Sequence, residues 1–452
     1  MEVTIIGTGY VGLTTGACLA FLGHDVTCVD ADERKISALK LGQIPFYEPH
    51  MEDLVADAAD HLKFSTEYAE AIPTSQVIFI AVGTPPGPGG APDLKYLESA
   101  ARGIGEHLSG DFTVVVNKST VPIGSGNWVG ALVRDAFERR HGKRPDDAFA
   151  VASNPEFLRE GSAILDSLYP DRVVIGTDER RTAETLYSLY RPVLEQTFQA
   201  PSYLSRPDGV EAVPLISADL ASAELIKYAA NAFLALKISY INEIGQLAEK
   251  VGADIGQVAK GIGLDARIGT RFLQAGIGWG GSCFGKDTAA LVATASEYGL
   301  DAPIVKAARE INRRQRERVV EKLLGELKIL KGRTIGLLGL AFKPNTDDLR
   351  EAPALDIAAK LIERGARVQA HDPVAMERFA QQHGGLDVKC CATPEQVAHN
   401  ADAVVLVTEW PQYRDLDWEA IRFTMKTPVL LDGRHLFDRE RMTRAGYRYI
   451  AL

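Results

Sequence analysis

The first thirty residues constrain the fold more than any other stretch. "VTIIG" at 3–7 is a short apolar run, and "GTGYVG" overlaps its end with glycines at 7, 9 and 12. "LTTGACLAFLG" then continues with apolar residues at helical spacing. In a strand–turn–helix unit of this kind, Gly7 permits the tight turn and Gly9 lets the backbone approach a pyrophosphate. Gly12 lets the helix pack closely, and the helix N-terminus aims its free N–H groups at phosphate. Asp30 closes a second apolar run, "DVTCVD". A carboxylate there would accept both ribose hydroxyls of NAD and repel the extra phosphate of NADP. Lys35 falls near the same ribose; Arg34 and Lys35 together could host that phosphate instead, which keeps NADP open. Alone, Asp30 reads as a surface carboxylate at a strand end, and the glycines make the dinucleotide reading the stronger one. Cys18 and Cys28, inside the apolar helix and strand, read as core.

The alternation continues. Strands are predicted at 77–83, 112–119, 148–155 and 172–177, between helical patterns, with an exposed loop "PPGPGGAP" at 85–92. Such alternation implies a parallel sheet flanked by helices. From about 217 to 318 the pattern becomes helical, led by "ADLASAELIKYAANAFLALKISYINEIGQLAEKVG". That run is too apolar for a solvated helix, so it is expected to be a buried connector packed on neighbours or on a partner subunit. A second strand–helix series occupies 333–342, 367–373, 401–409 and 428–437. The fold class expected is α/β: two Rossmann-like parallel-sheet domains joined by a central all-helical domain with a long connecting helix. The boundaries read as 1–205, 206–318 and 319–452.

At 452 residues the chain is too long for one compact domain. A net charge of −10 argues against non-specific binding to nucleic acid or to an acidic membrane. The five cysteines show neither metal-ligand spacing nor a disulfide framework, so no metal is expected and a reducing compartment fits. The N-terminus begins at once with a strand and lacks the marks of a signal peptide. No apolar run approaches the roughly 18 residues that span a bilayer. A cytoplasmic protein is expected.

One thiol stands apart. In "GWGGSCFGKD", 278–287, Cys283 follows a run of glycines and opens a predicted helix. A thiol at a helix N-terminus gains thiolate character, and Lys286 would add to it if it pointed inward. Asp287 lies one turn on. Spacing alone leaves two readings open: a buried free cysteine, or a nucleophile that captures an aldehyde. Three other segments supply candidates. Glu156 and Glu160 in "NPEFLREG" are four apart and would share a face if the segment were helical. Lys227 and Asn231 are four apart on the long helix, and Thr120 ends the fourth strand. Cys390 and Cys391 lie in a strand-like stretch and are given no role.

Taken in order, "GTGYVG", "VGTPP", "KSTVP", "NPEFLREGSAI", "AELIKYAANAFLALKISYINE", "GGSCFGKD" and "GLAFKPNTDDLREAP" resemble the nucleotide-sugar dehydrogenases over nearly the whole chain. Within them the Gly161–Ser162 pair is similar to the branch that oxidises UDP-glucose; GDP-mannose and UDP-N-acetylhexosamine branches share the plan. The resemblance implies two successive oxidations at C6 of the sugar with NAD as cofactor, and a thiohemiacetal and then a thioester on Cys283. Lys227 and Asn231 match groups that stabilise oxyanions, Asp287 and Thr120 a pair that holds a water, and Glu160 a group that assists hydrolysis. Tyr10, Val11, Thr84, Ser119, Lys286 and Arg350 match positions at the cofactor, beside the glycines, Asp30 and Lys35. Glu160 and Thr120 also fall at the cofactor. At the substrate fall Glu156, Phe157 and Leu158, then Phe272 and Gly280, and from the last domain Phe342, Lys343 and Arg434. Arg267 matches an arginine that reaches a neighbour's site, which implies a homodimer. For Arg434 a solvated surface charge is a strong rival. One departure bears on the thiol: Gly285 stands where the family usually has proline, which would loosen the loop. Rival readings are a two-electron 3-hydroxyacid dehydrogenase, which needs no Cys283–Asp287 pair, and an NAD-binding regulatory protein without catalysis.

Overall fold

The computed structural model describes residues 1–145 and 147–452, and of Pro88 the backbone alone. The chain divides into two compact units, Met1–Ala229 and Ala230–Leu452.

The first unit is built on an eight-stranded sheet. Its strands are β1 (Glu2–Ile6), β2 (Asp25–Val29), β3 (Leu62–Ser65), β4 (Val77–Ile80), β5 (Thr113–Asn117), β6 (Phe149–Ser153), β7 (Val173–Gly176) and β8 (Leu215–Ala218). They lie in the order β3-β2-β1-β4-β5-β6-β7-β8. Both faces are covered, so the central strands are apolar without alternation. In β4, Val77 and Phe79 enter one core while Ile78 and Ile80 enter the other. The strand order reverses beside β1, which leaves a crevice at the carboxyl ends of β1 and β4, the usual place for a ligand in such sheets.

Two features differ from the expectation of a uniform parallel sheet. β6 and β7 meet antiparallel, at the single pair Ser153–Gly176. β3 and β8 were not legible as strands, because each has four residues and exposes part of its length. β8 also takes the first two residues of the stretch read as helical.

The fingerprint helix α1 (Tyr10–Phe21) packs on β1 and β2 at close range because residue 16 is glycine. A Cβ on Gly16 would lie 2.6 Å from the Cys28 sulfur. Cys18 and Cys28 are both buried in this core, as read from the sequence.

The long helix α2 (Leu220–Val251) has 32 residues and crosses the division between the units. It is rich in Ala, Leu, Glu and Lys, all strong helix formers. In the second unit follow α3 (Ile255–Gly263), α4 (Phe284–Glu297) and α5 (Pro303–Leu327). A six-stranded parallel sheet completes it, with β9 (Thr334–Leu338), β10 (Arg367–His371), β11 (Val388–Cys390), β12 (Ala403–Leu406), β13 (Val429–Asp432) and β14 (Arg448–Ala451). Its order is β11-β10-β9-β12-β13-β14. The architecture is thus two Rossmann-like sheets with a helical segment between them in the chain. The edge strand β14 went unread, being short and partly exposed.

Gly16→Ala should destabilise the first unit by about 1–3 kcal/mol through overpacking. Adding Cys28→Ala should recover part of that loss, since the sulfur is the atom met first. Urea unfolding midpoints of the two variants measure both effects, and a neutral Gly16→Ala would contradict this packing.

Candidate active site

In the first unit the glycine turn is set by three different requirements. Gly7 has φ +98°, and a Cβ there would lie 2.7 Å from the Ala81 carbonyl oxygen. A Cβ on Gly12 would lie 1.8 Å from the Gly7 carbonyl oxygen, so the helix could not pack as it does. Nothing lies within 4 Å of a Cβ placed on Gly9, so this glycine borders open space. α1 starts at Tyr10 with no capping side chain and no acid in its first turn. Its N–H groups and the open backbone at Gly9 fit a pyrophosphate.

Asp30 follows β2. Its Oδ2 accepts from the Thr8 N–H, the Thr8 hydroxyl and the Lys35 ammonium, each at 2.8 Å, and its Oδ1 from the Asp32 N–H at 3.1 Å. Burial alone would raise its carboxyl, but the Lys35 hydrogen bond and these backbone donors outweigh it and hold it below the ordinary value. Lys35 therefore neutralises Asp30 beside the glycine turn. At the ends of β4 and β5, the Ser119 hydroxyl donates to the Val82 carbonyl at 2.8 Å and the Thr84 hydroxyl to the Thr120 carbonyl at 2.9 Å. The two loops are tied together there.

Glu156 is the buried centre of the same unit. Its Oε1 accepts from the Lys227 ammonium at 2.9 Å and its Oε2 from the Leu158 N–H at 2.6 Å. Burial pushes its carboxyl up, yet the Lys227 charge and hydrogen bond, the Leu158 N–H and the charge of Lys118 together hold it below its usual range. Phe157 lies under the Arg172 guanidinium at 3.7 Å. Residues 154–159 are irregular rather than helical, so Glu156 and Glu160 do not share a helix face. That correction follows from the chain itself. Pro155 and the buried carboxylate's bond to Leu158 hold the segment open.

A second acid anchors the end of that segment. Glu48 is buried and accepts from the Tyr10 hydroxyl, from the Gly161 N–H at 2.6 Å and from the Ala163 N–H at 2.7 Å. It joins the glycine turn's helix to the loop that carries Glu160.

In the second unit Cys283 is the N-cap residue of α4. Its carbonyl accepts from the Asp287 N–H at 2.8 Å, and its sulfur lies 3.6 Å from the Ser282 hydroxyl. Asp287 is buried, with Oδ2 bound by the Asn231 amide and Oδ1 by the Lys286 ammonium, each at 2.6 Å. Lys286 thus spends its charge on Asp287. The glycines before the thiol are packed rather than loose. A Cβ on Gly276 would lie 2.5 Å from the Gly433 carbonyl, one on Gly278 2.4 Å from Asn312 Oδ1, and one on Gly280 2.5 Å from the Glu351 carbonyl. Arg434 pins the same strap, donating to the Gly278 carbonyl at 2.9 Å and the Val407 carbonyl at 2.8 Å. Its reading as a solvated surface charge is therefore wrong. Phe272, in a left-handed backbone conformation, meets the Phe284 ring at 6.3 Å. Lys343 lies 5.6 Å from the centre of the Phe342 ring. Arg350 is bound to Asp348, and Arg267, 89% exposed, to Asp265.

Comparison with known proteins decides what this arrangement belongs to. Residues 1–194 match the NAD binding domain of the UDP-glucose/GDP-mannose dehydrogenase family, 221–314 its central domain and 336–439 its UDP binding domain. The chain belongs to that family. It is 46% identical to a UDP-glucose 6-dehydrogenase of Bacillus subtilis over 99% of this chain and 92% of that one. It is 46% identical to the enzyme of that name from Rhizobium meliloti, over 100% and 99%. The structure of a UDP-glucose dehydrogenase from Pyrobaculum islandicum superposes with a TM-score of 0.88 at 39% identity, covering 99% of this chain and 96% of that one. This family member is accordingly an NAD-dependent oxidoreductase.

For this dehydrogenase the structure gathers these sequence candidates into three groups, two in the first unit and one in the second. Asp30, Lys35, Glu156 and Lys227 lie in the first unit; Asn231, Cys283, Lys286 and Asp287 lie in the second. Lys227 and Asn231 are one turn apart on α2. Two buried residues were missed. Glu48 follows two aromatic residues in a segment without periodicity, and Lys118 stands inside "KSTVP", where only its neighbours drew notice. A lysine ending so apolar a strand was the available signal.

Lys227→Met should cost about 3–5 kcal/mol, because it leaves Glu156 buried beside an apolar group. The double variant with Glu156→Gln should cost less than the two single changes added. Because the Glu156 carboxyl is held low, the pair's contribution is present above the ordinary glutamate value of about 4.3 and is lost as pH falls below it. Denaturant unfolding of the four proteins between pH 3 and 7 measures both.

Proposed function

We propose that this enzyme oxidises UDP-glucose at C6 to UDP-glucuronate by four electrons, with Cys283 as a covalent nucleophile. Full-length likeness to enzymes of that name supports the substrate. The observation that carries the chemistry is Cys283 at the N-terminus of α4, with Asp287 one turn later held between Asn231 and Lys286. A simple two-electron dehydrogenase has no use for that thiol.

Gly7, Gly9 and Gly12, Tyr10 and Val11, Asp30 and Lys35, with Thr84, Ser119, Glu160, Lys286 and Arg350, would hold NAD, and two NAD molecules in succession would supply the two-electron acceptors for the two oxidations. The first turns the C6 alcohol into an aldehyde. The Cys283 sulfur then bonds to C6 and a proton passes to the carbonyl oxygen, giving a thiohemiacetal that stays bound. Oxidation of this adduct gives a thioester. Water adds to it, the S–C6 bond breaks, and the carboxylate leaves with the thiol restored. Lys227 and Asn231 stabilise the oxyanions formed at C6. Asp287 and Thr120 hold a water for proton transfer, and Glu160 assists hydrolysis. Glu156, Phe157, Leu158, Phe272 and Gly280 hold the sugar nucleotide, with Phe342, Lys343 and Arg434.

The enzyme acts as a homodimer. Phe233, Tyr240 and Leu247 recur every seventh residue along α2 and are 60%, 49% and 59% exposed, an apolar stripe that a second copy would cover. Arg267 reaches the partner's site from this region. The setting is the cytoplasm, consistent with five free cysteines.

Purified protein should form two NADH per UDP-glucose consumed, and Cys283→Ser should show little or no steady turnover. One NADH per sugar would leave Cys283 without this role, and none would turn attention to GDP-mannose and UDP-N-acetylhexosamines. Phe233→Glu with Tyr240→Glu should sediment as a monomer; a persistent dimer would place the interface elsewhere.

A further inference from the structure

We propose that Glu48 is a positioning residue for the hydrolysis step: its buried carboxylate holds the peptide that follows Glu160 and ties it, through the Tyr10 hydroxyl, to the first turn of α1. The inference rests on the role given above to Glu160, and every contact in it lies within the first unit.

Glu48 is 4% exposed. Its backbone is set by its own neighbours. Its carbonyl accepts from the Met51 N–H at 3.2 Å, where the helix Met51–Asp57 begins, and Pro49 restricts the residue before it to extended conformations. The carboxylate faces a distant part of the chain. Oε2 accepts from the Gly161 N–H at 2.6 Å and Oε1 from the Ala163 N–H at 2.7 Å. The Tyr10 hydroxyl also donates to Oε2, and it accepts from the same Gly161 N–H at 3.1 Å. Carboxylate, phenol and amide thus close a triangle. The Tyr10 ring is placed in turn by Phe46, with 4.8 Å between ring centres. Tyr10 is the first residue of α1.

Residue 160 therefore sits between two fixed peptides. Before it, the Arg159 N–H donates to Asp166 Oδ2 at 2.8 Å; after it, the Gly161 N–H is held by Glu48. Gly161 has φ +81°, a left-handed conformation that glycine takes without strain, so the chain turns sharply just past Glu160. Arg159 is exposed and Glu48 is buried, so the Glu48 clamp is the one shielded from water. In hydrolysis the water oxygen bonds to C6 as one water proton passes to Glu160. The S–C6 bond then breaks, the sulfur leaves with that proton, and the acid releases the other to solvent. A base acts only within hydrogen-bond reach of the proton it takes, and a misplacement of about 1 Å can cost on the order of a hundredfold. The chemical role given to Glu160 is in hydrolysis, so loss of the clamp should slow that step and spare the two oxidations.

The test is stopped-flow measurement of NADH at saturating NAD and UDP-glucose. Glu48→Gln keeps the size of the side chain but offers one acceptor oxygen to two backbone N–H groups. It should show a first phase of up to two NADH per site at a rate within about twofold of the wild type, then a steady rate lower by about tenfold or more. Protein quenched in the steady phase should carry the acyl group on Cys283, seen as added mass that hydroxylamine removes. Loss of folded protein would instead shrink both phases together. Tyr10→Phe removes only the hydroxyl and keeps the ring on Phe46, so it decides the matter if Glu48→Gln does not fold; it should show the same split with a smaller fall in the steady rate. Glu160→Gln, run alongside, should show the split in full. If it does and the folded Glu48→Gln protein does not, or Tyr10→Phe in its place, the proposal is overturned and the reading of Glu160 stands. If Glu160→Gln shows no split, that reading falls and the proposal with it.

Discussion

One continuous helix supplies a side chain to each of two buried carboxylates. α2 carries Lys227, whose ammonium completes the Glu156 cluster, and one turn later Asn231, whose amide completes the Asp287 cluster. A helix rises 1.5 Å per residue, so these two side chains start about 6 Å apart along the axis and on one face. A proline or a kink between 227 and 231 would break that relation, and the sequence there, "KYAAN", has neither proline nor glycine. On another face the same helix carries Phe233, Tyr240 and Leu247, which the rest of the chain leaves exposed. Its composition therefore answers three demands at once, which is why it is too apolar for an ordinary surface helix.

The two sheets show how one supersecondary plan serves different ends. In the first, Asp30 ties the turn after β1 through Thr8 and leaves Gly9 bordering open space. In the second, Asp372 follows β10 in the corresponding place. It accepts from the N–H groups of Leu340 and Ala341, of Val374 and Ala375, and from the Trp410 indole. Gly339 has φ +97°, and a Cβ on it would lie 2.3 Å from Thr408. That turn is closed by the protein's own groups. The pattern of strand, glycine turn and acid is common to both sheets, but the glycine of the second turn is packed against Thr408 while Gly9 of the first borders open space.

Much of this was legible in the sequence for a physical reason. Central strands buried on both faces read as unbroken apolar runs, and a glycine turn forced by backbone contact leaves its glycines in fixed places. The long helix was legible from its period. What escaped obeys no such period: β3, β8 and β14 are short edge or near-edge strands with exposed residues. The antiparallel step between β6 and β7 rests on one residue pair, and no local signal encodes it. At the site, residue types were readable but partnerships were not. Lys286 was read as support for the thiol if it pointed inward and is bound to Asp287; Arg434 was read as a substrate contact with a surface charge as its rival and is a half-buried pin of the glycine strap. Glu48 and Lys118 act on groups more than thirty residues away, and only folding brings them there.

The glycine at 285 shows the same limit in reverse. A proline there suits the first turn of a helix, where its missing N–H costs nothing, so glycine reads as a loosening of the loop behind the thiol. The structure gives the position another constraint. A Cβ on Gly285 would lie 1.9 Å from a Glu351 carboxylate oxygen and 2.4 Å from the other. Glu351 itself has φ +50°, and its carbonyl, which limits Gly280, also accepts from Arg316 at 3.0 Å. The carboxylate thus fills the space that a side chain at 285 would take, and residue 285 is buried. With Gly276, Gly278 and Gly280 each excluded from bearing a side chain by a neighbouring backbone or amide, the approach to Cys283 is held by contact along its length. Glycine serves here for close approach and not for freedom of motion, so a single thiol can follow four glycines and still stand in one place.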